Sequence, residues 1–177
     1  MTSVVSAGTY IRVHGERMED IRYRAIGIIR SPFEKSKGMP IQPAGARGVA
    51  GTVEVYPDYA EGLKDLDGFS HIFLIYHFHL SQRYSLTVEP FLDNTVRGLF
   101  ATRAPSRPNG IGISVVRLVK VEGCTLDIED VDIVDRTPLL DIKPYIPEFD
   151  IREVERVGWY ANRVKKVAET EADERFK

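Results

Sequence analysis

The stretch FSHIFLIYHFHL, residues 69–80, is the most strand-like part of the chain because nearly every residue in it is apolar or aromatic. An apolar run of this length predicts a central strand that is buried on both faces. His71, His77 and His79 fall on one side of that strand. A His-x-His pair can bind a metal, but no acidic or cysteine partner stands at a suitable spacing. We therefore interpret His79 as a hydrogen-bonded histidine at a strand end, where it can also contact a ligand or act as a base.

Short strand candidates separated by Gly and Pro turns surround this stretch. They are predicted over Ile21–Arg30, Gly51–Tyr56, Leu86–Pro90, Ile113–Glu122, Leu126–Ile133 and Leu139–Tyr145. Helix is predicted for Tyr59–Asp67 and for a C-terminal segment that Asp150 caps, in which Val154, Val157, Ala161, Val164 and Ala168 recur at helical spacing. Many short strands and little helix predict a mostly β barrel or sandwich with peripheral helices.

Length, cysteine content and the lengths of apolar runs limit the classes of protein to which this chain can belong. A chain of 177 residues fits one domain with a substantial core. Its single cysteine, Cys124, excludes an internal disulfide framework and fits a reducing compartment. No apolar run reaches the length of a membrane span, and no apolar signal core opens the chain. We therefore expect a cytoplasmic protein without a membrane partner. Met18 is a second possible start, and a chain that begins there is expected to fold and work.

Charge is divided along the chain, although the net charge is only −2. Residues 94–121 carry basic side chains and no acidic one, whereas residues 122–155 are mainly acidic. The division permits a local basic patch for a phosphate backbone. The alternative is that the two segments neutralise each other in the fold.

Three stretches contain more turn residues and polar groups than plain connections need: residues 36–48, 100–112 and 132–145. The second, FATRAPSRPNGIG, contains two prolines and two glycines that exclude regular structure over most of its length. Its Arg103 and Arg107 suit an anion, because guanidinium groups bind planar oxygens in pairs; the alternative is a surface loop whose arginines pair with nearby acids. Loops that converge on a β scaffold often form a small-molecule site.

The same stretches resemble the TsaA/TrmO family. The resemblance is carried, in the family's order within residues 22–150, by IGIIRSPF (26–33), Gln42-Pro43, GFSHIFLIYHFH (68–79), FATRAPSRPNGIG (100–112) and DIVDRTPLLDIKPYIP (132–147). It implies a β-barrel-like single domain over residues 21–150, preceded by a peripheral extension (1–20) and followed by a C-terminal helical tail (151–177). It also implies a homodimer that uses S-adenosylmethionine to methylate the exocyclic nitrogen of N6-threonylcarbamoyladenosine in a tRNA anticodon loop, with the cofactor near the subunit interface. No metal is expected, because the histidines lack a suitably spaced partner.

The resemblance assigns roles to residues that can fill them. Cofactor binding is implied for Gln42, Pro43, Ala44, His79, Leu80, Arg103, Asp132, Val134, Asp135, Arg136 and Thr137. Methyl transfer to nitrogen releases a proton, and the candidate acceptors are Asp135, Asp141, Tyr145 and His79. The basic residues expected to meet tRNA phosphates are Arg97, Arg107 and Arg117, although Arg107 has the alternative role of stabilising its own loop.

The sequence departs from the family pattern at a few points. Arg136 stands where the family has glycine in a DGTP turn, so a left-handed backbone there would be strained or the turn would differ. Gly110 replaces a proline in the RPNP motif, and the C-terminal domain of longer members has no counterpart in this sequence. Two other functions compete with methyl transfer: a non-catalytic β-barrel that binds a nucleotide-like ligand, and a metal-dependent hydrolase that uses His77 and His79.

Overall fold

The barrel at the centre of the molecule is built from most of its strands. We describe the protein from a computed structural model, which covers residues 12–13, 16–17, 21–161, 163, 170–173 and 175–176. In these residues the strands are β1 (Arg12–Val13), β2 (Glu16–Arg17), β3 (Gly27–Arg30), β4 (Gly51–Val55), β5 (His71–His77), β6 (Thr87–Val88), β7 (Arg97–Gly98), β8 (Ile111–Glu122), β9 (Thr125–Glu129) and β10 (Thr137–Pro144). Six of them form a closed antiparallel barrel in the order β10–β3–β4–β9–β8–β5, in which β5 pairs with β10. The prediction of a mostly β, barrel-like fold is confirmed.

Strand β5 presents one face to the core and the other to the outside. Ile72, Leu74 and Tyr76 point inward and are at most 6% exposed. Phe73 and Ile75 lie between them on the outer face and are half-buried. The prediction that residues 69–80 are buried on both faces is therefore wrong. A strand of a closed antiparallel barrel has one packed face and one face toward solvent, so the apolar residues on the outer face of β5 stay partly exposed.

The connections divide the barrel into two ends. Residues 31–50, 78–110 and 130–136 join β3 to β4, β5 to β8 and β9 to β10, and antiparallel pairing brings all three to one end, which we call the loop end. The other end, the hairpin end, carries the β8–β9 turn at Gly123, residues 56–70 and the chain after Pro144. The stretches 36–48 and 100–112 thus meet at the loop end, together with the first part of 132–145. The rest of that third stretch forms β10.

Several predicted elements are shorter in the structure. The helix expected over Tyr59–Asp67 is a pair of 3₁₀ segments, Pro57–Leu63 and Leu66–Gly68, because Asp65 adopts a left-handed backbone with φ 64° and interrupts the winding. The strand expected over Leu126–Ile133 ends at Glu129, because Asp130 is also left-handed at φ 68°. Further 3₁₀ turns lie at Pro43–Gly45, Leu99–Ala101 and Gly158–Tyr160.

The C-terminal helix does not begin as predicted. The chain forms one α-helical turn, α1 (Pro147–Asp150), and residues 151–157 are not helical. Asp150 is the last residue of α1, where its side chain accepts a hydrogen bond from the Ile146 amide at 2.7 Å. Val154 is 64% and Val157 45% exposed, so these two residues of the expected apolar stripe are not packed, and most helical stability comes from such packing. Residues 164–169 of the predicted helix lie outside the described residues, as does Met18.

Candidate functional site

A cavity of about 110 Å³ lies at the loop end of the barrel. Its walls come from the end of β5 and the residues after it, from the loops 31–50, 78–110 and 130–136, and from the C-terminal Phe176. Among the residues assigned to the cofactor by resemblance, it brings together His79, Leu80, Asp132, Val134 and Thr137. Pockets for drug-sized ligands usually measure about 300–1,000 Å³, so this cavity encloses only part of such a ligand.

A buried chain of hydroxyl groups leads from the barrel interior to the cavity. The Tyr76 hydroxyl lies 3.1 Å from Ser114 Oγ, which donates a 2.6 Å hydrogen bond to Asp132 Oδ1. Since the Ser114 proton is used on Asp132, Tyr76 is the donor to Ser114. Burial raises the pKa of Asp132 to about 6, although the Ser114 hydrogen bond and the Arg103 charge act in the opposite direction. Asp132 is therefore ionised at neutral pH but readily protonated.

The sequence motifs do not single out Tyr76 and Ser114 as residues of the site. Their signal was the alternation along each strand: Ser114 shares the inward side of β8 with Val116 and Leu118, and a polar residue on an apolar face needs a partner. Gly112 pairs directly with Tyr76 across β5 and β8. A Cβ at Gly112 would collide with the Tyr76 ring and would lie 2.9 Å from Phe78 Cζ, so this glycine makes room for the tyrosine.

The imidazole of His79 is oriented by Thr137. The Thr137 hydroxyl donates to the Val134 carbonyl at 2.7 Å and lies 3.3 Å from His79 Nδ1. Because its one proton is used, Thr137 accepts from Nδ1–H, which leaves Nε2 without a proton in the neutral ring. Loss of solvent around the ring, together with nearby His77, lowers the pKa of His79. The ring is therefore neutral at pH 7.

The Gln42-Pro43 kink meets the loop of residues 100–112, which carries Arg103, beside this cavity. Arg103 Nη1 donates to Gln42 Oε1 at 2.7 Å, and Gln42 Nε2 donates to the Ile41 carbonyl at the same distance. Pro43 and Ala44 form the 3₁₀ turn that follows Gln42. Arg103 has no acidic partner among the described residues, and its charge lowers the pKa of Asp132. Among the residues that the structure describes, the partner of its positively charged guanidinium is thus a neutral amide.

The turn after Asp132 is fixed to the β3–β4 loop. The Asp135 carboxylate accepts from the Ser31 amide at 3.2 Å, and the Asp135 amide donates to the Phe33 carbonyl at 2.7 Å. Arg136 follows with φ 62°, the left-handed backbone that favours glycine. The turn therefore keeps a glycine-like conformation with an exposed arginine in it.

Two of the proposed proton acceptors are not brought to the cavity. Asp141 is paired with Lys143 Nζ at 2.8 Å. Tyr145 lies at the hairpin end, where its ring meets Phe73 edge-on at 5.5 Å between centroids. The length of β10 separates Tyr145 from Thr137 by about 25 Å at the usual rise of a strand. Asp135 and His79 remain at the loop end.

The three arginines expected to bind tRNA have different environments. Arg97 pairs with Asp93 at 2.6 Å, and its guanidinium lies 5.6 Å from the centre of the Trp159 ring. Arg107 donates to the carbonyls of its own loop at Thr102 and Ala104, which supports the loop-stabilising alternative. Arg117 has a side chain that is 61% exposed and a 3.8 Å contact with Glu129. Arg117 is thus the most available of the three.

The metal-dependent alternative lacks a ligand set in the part of the chain that the structure describes. No group of three or more His, Cys, Asp or Glu side chains there could hold a metal ion. His77 is exposed at the end of β5, and the imidazole of His79 is hydrogen-bonded to Thr137. Nor is any described helix both long and apolar enough to cross a membrane.

Comparison with known proteins places this site in context. Residues 28–151 match the model of the tRNA-methyltransferase O N-terminal domain. A probable S-adenosyl-L-methionine-binding protein of Pyrococcus abyssi is 58% identical over 156 residues, which cover 88% of this chain and 85% of that protein. The tRNA (adenine(37)-N6)-methyltransferase of Escherichia coli is 35% identical over 140 residues, which cover 73% of this chain and 60% of that enzyme.

Solved structures agree with the sequence comparisons. The crystal structure of TrmO from Pseudomonas aeruginosa superposes with a TM-score of 0.68 at 40% sequence identity. The match covers 79% of this chain and 62% of the Pseudomonas chain. This chain therefore spans less than two thirds of that longer protein and of the Escherichia coli enzyme, but most of the Pyrococcus protein.

Proposed function

Because this chain belongs to the tRNA-methyltransferase O family, we propose that it transfers a methyl group from S-adenosylmethionine to an adenosine of tRNA. The finer proposal is that the acceptor is the exocyclic nitrogen of N6-threonylcarbamoyladenosine in the anticodon loop, and that the protein acts in the cytoplasm. The observation that carries the proposal is the match to the family over residues 28–151. The cavity at the loop end supports it, since residues from separate family motifs line that cavity together.

The side chains at the loop end suit this cofactor. The cofactor carries a carboxylate, an ammonium group, ribose hydroxyls and an adenine ring. Arg103 offers a guanidinium held by neutral Gln42, which suits the carboxylate. Phe78, Leu80 and Val134 line the cavity and supply apolar surface for a ring. We propose that main-chain groups of residues 42–44 and 134–136 bind the remaining polar groups.

When bound, the cofactor supplies a methyl group that its sulfonium already activates, so the protein has to align the two reactants and exclude water. Transfer of this methyl group to nitrogen would release the thioether and leave a proton on the nitrogen, so a group of the protein has to accept that proton. We propose Asp132 as the group that takes this proton. Its carboxylate lines the cavity and is held by Ser114 at 2.6 Å, and burial raises its pKa to about 6, close to neutral pH. The unprotonated Nε2 of His79 is the alternative acceptor at the cavity.

We also propose that the protein works as a homodimer with the site near the two-fold axis. A cavity of about 110 Å³ is too small for the whole cofactor, which agrees with a site that a second copy completes. The outer face of β5 and β8 carries Phe73, Ile75 and Ile113, the last of which is 55% exposed. An apolar sheet face of this kind is a suitable interface. A sedimentation experiment that finds a fully active monomer would contradict the dimer.

The function is tested by calorimetry with S-adenosylmethionine, followed by a methyl-transfer assay on tRNA with and without the threonylcarbamoyl group. We expect cofactor binding and transfer to the modified tRNA only. Transfer to both tRNAs would keep the methyltransferase and reject the finer substrate. Cofactor binding without transfer to either tRNA would favour the non-catalytic alternative. Absence of cofactor binding would reject the proposal.

A further inference from the structure

A second and larger concavity lies next to the cavity that we propose for the cofactor. This groove has a volume of about 330 Å³, and the ring of Phe176 borders both the groove and the cavity. Its other walls are residues 83–85 and 87–89, Ser106 and Arg175. The Ser85 amide donates to the Ser106 carbonyl at 3.2 Å, which joins the groove wall to the loop that carries Arg103. A molecule in the groove therefore lies one side chain away from the proposed reaction.

The groove presents an aromatic ring, that of Tyr84, and a cation, the guanidinium of Arg83. Tyr84 is 52% exposed. The guanidinium of neighbouring Arg83 has no hydrogen bond or ion pair to any residue that the structure describes. Arg175, by contrast, pairs with Asp173 at 2.7 Å and donates to the Pro90 carbonyl at 2.9 Å. Its role is therefore to form the wall of the groove. Glu89 is the acidic residue in the lining. Because Arg175 is already paired with Asp173, the positive charge that remains available in the groove is that of Arg83.

An exposed aromatic ring beside an unpaired guanidinium is the combination that binds single-stranded RNA, in which bases stack on rings and phosphates pair with arginine. The volume is at the lower bound for an organic ligand, which fits one nucleotide. A folded protein partner would need a broader contact surface than this groove offers.

We propose that this groove binds the RNA nucleotide that flanks the methylated adenosine, with its base stacked on Tyr84 and an oxyanion bound by Arg83. The inference rests on the proposed function and extends it to residues outside the family motifs. The oxyanion has two sources in such a substrate: the phosphate of the flanking nucleotide, or the carboxylate of the threonylcarbamoyl group. A guanidinium can bind the oxygens of either the tetrahedral phosphate or the planar carboxylate.

The test measures the dissociation constant of tRNA for the S-adenosylhomocysteine-bound protein, and the KM and kcat of methyl transfer. Tyr84→Ala should weaken tRNA binding and raise KM by roughly tenfold, the loss of one stacked base, whereas Tyr84→Phe should retain both. The matched control is Tyr59→Ala, a partly exposed tyrosine at the hairpin end, which should change neither. Calorimetry should give the same cofactor affinity for all four proteins.

Arg83→Ala distinguishes the two sources of the oxyanion. If Arg83 binds a phosphate, the variant weakens modified and unmodified tRNA equally and lowers the salt dependence by about one unit of slope. If Arg83 binds the carboxylate, the variant weakens the binding of modified tRNA but not that of unmodified tRNA, which lacks this carboxylate. The inference is overturned if the wild-type protein methylates tRNA while Tyr84→Ala and Arg83→Ala behave like Tyr59→Ala. A wild-type protein that transfers no methyl group would instead reject the proposed function, before any variant is made.

Discussion

The two ends of the barrel hold their charged groups in different ways. At the hairpin end, charges are cancelled in exposed ion pairs such as Lys120 with Glu122, 2.7 Å apart. At the loop end, Asp93 pairs with Arg97 at 2.6 Å, but the ionisable side chains in and beside the cavity are held by neutral groups: Ser114 holds Asp132 and Gln42 holds Arg103. A neutral partner fixes the position of a side chain without cancelling its charge. The cavity therefore keeps charges available for a ligand, whereas exposed ion pairs such as that of Lys120 with Glu122 cancel theirs.

The largest effect is expected when the carboxylate of Asp132 is replaced at the loop end. Asp132→Asn keeps an oxygen that accepts from Ser114 but removes the proposed proton acceptor. We expect kcat for methyl transfer to fall by about 10²–10⁴-fold, measured in single-turnover assays with saturating cofactor. The matched change at an ion pair, Asp141→Asn, should leave kcat unchanged. Equal rates for Asp132→Asn and the wild-type protein would remove Asp132 from the reaction.

The same variant should show that Asp132 costs stability. Burial raises the pKa of Asp132 from 3.8 to about 6, so the folded protein binds more protons than the unfolded chain between these pH values. Stability therefore falls as pH rises through that window. At pH 7, Asp132→Asn should raise the free energy of unfolding by about 2–3 kcal/mol, with little gain at pH 4. Urea unfolding at the two pH values checks this sign, and an equal gain at both would contradict it.

The second contrast concerns cations at the two ends. Arg103→Ala removes a guanidinium that is hydrogen-bonded to neutral Gln42, and we expect cofactor or substrate binding to weaken by about 1–3 kcal/mol, the range for a charge-assisted hydrogen bond. Lys143→Ala removes a cation that pairs with Asp141, and exposed pairs contribute about 0–1 kcal/mol. Calorimetry and steady-state kinetics measure both variants. Unchanged kinetics for Arg103→Ala would exclude it from the site.

The residues of the loop end that belong to single sequence motifs could be predicted from the sequence. Gln42, His79, Arg103 and Thr137 were assigned through the family resemblance, and antiparallel topology brings their loops to one end. The Tyr76–Ser114 contact was missed because it depends on the register between β5 and β8. The choice of proton acceptor also needed three dimensions, since residues 135 and 145 lie close in sequence but at opposite ends of β10.

The packing beneath the cavity gives a smaller effect. Gly112→Ala places a Cβ against the Tyr76 ring, closer than side chains can approach. Overpacking of this kind costs about 1–3 kcal/mol, and it should displace Tyr76 from Ser114. The control is Gly98→Ala, since a Cβ there meets no atom within 4 Å. Thermal unfolding should give a lower Tm for Gly112→Ala than for the control. Equal Tm values would show that the ring moves aside without cost.

The smallest expected effect is a gain in stability at Arg136. Its φ of 62° lies in the left-handed region, which costs a side-chain-bearing residue about 1–2 kcal/mol, while glycine loses more backbone entropy on folding. Arg136→Gly should therefore raise the free energy of unfolding by about 0.5–1 kcal/mol in urea titrations. Arg136→Ala removes the same side chain but keeps the strain, so it should give no gain. At the hairpin end, Asp65 has a similar φ of 64°, but aspartate tolerates this region better than arginine. Asp65→Gly should accordingly gain less, and a larger gain there than at Arg136 would show that the loop end carries no special backbone strain.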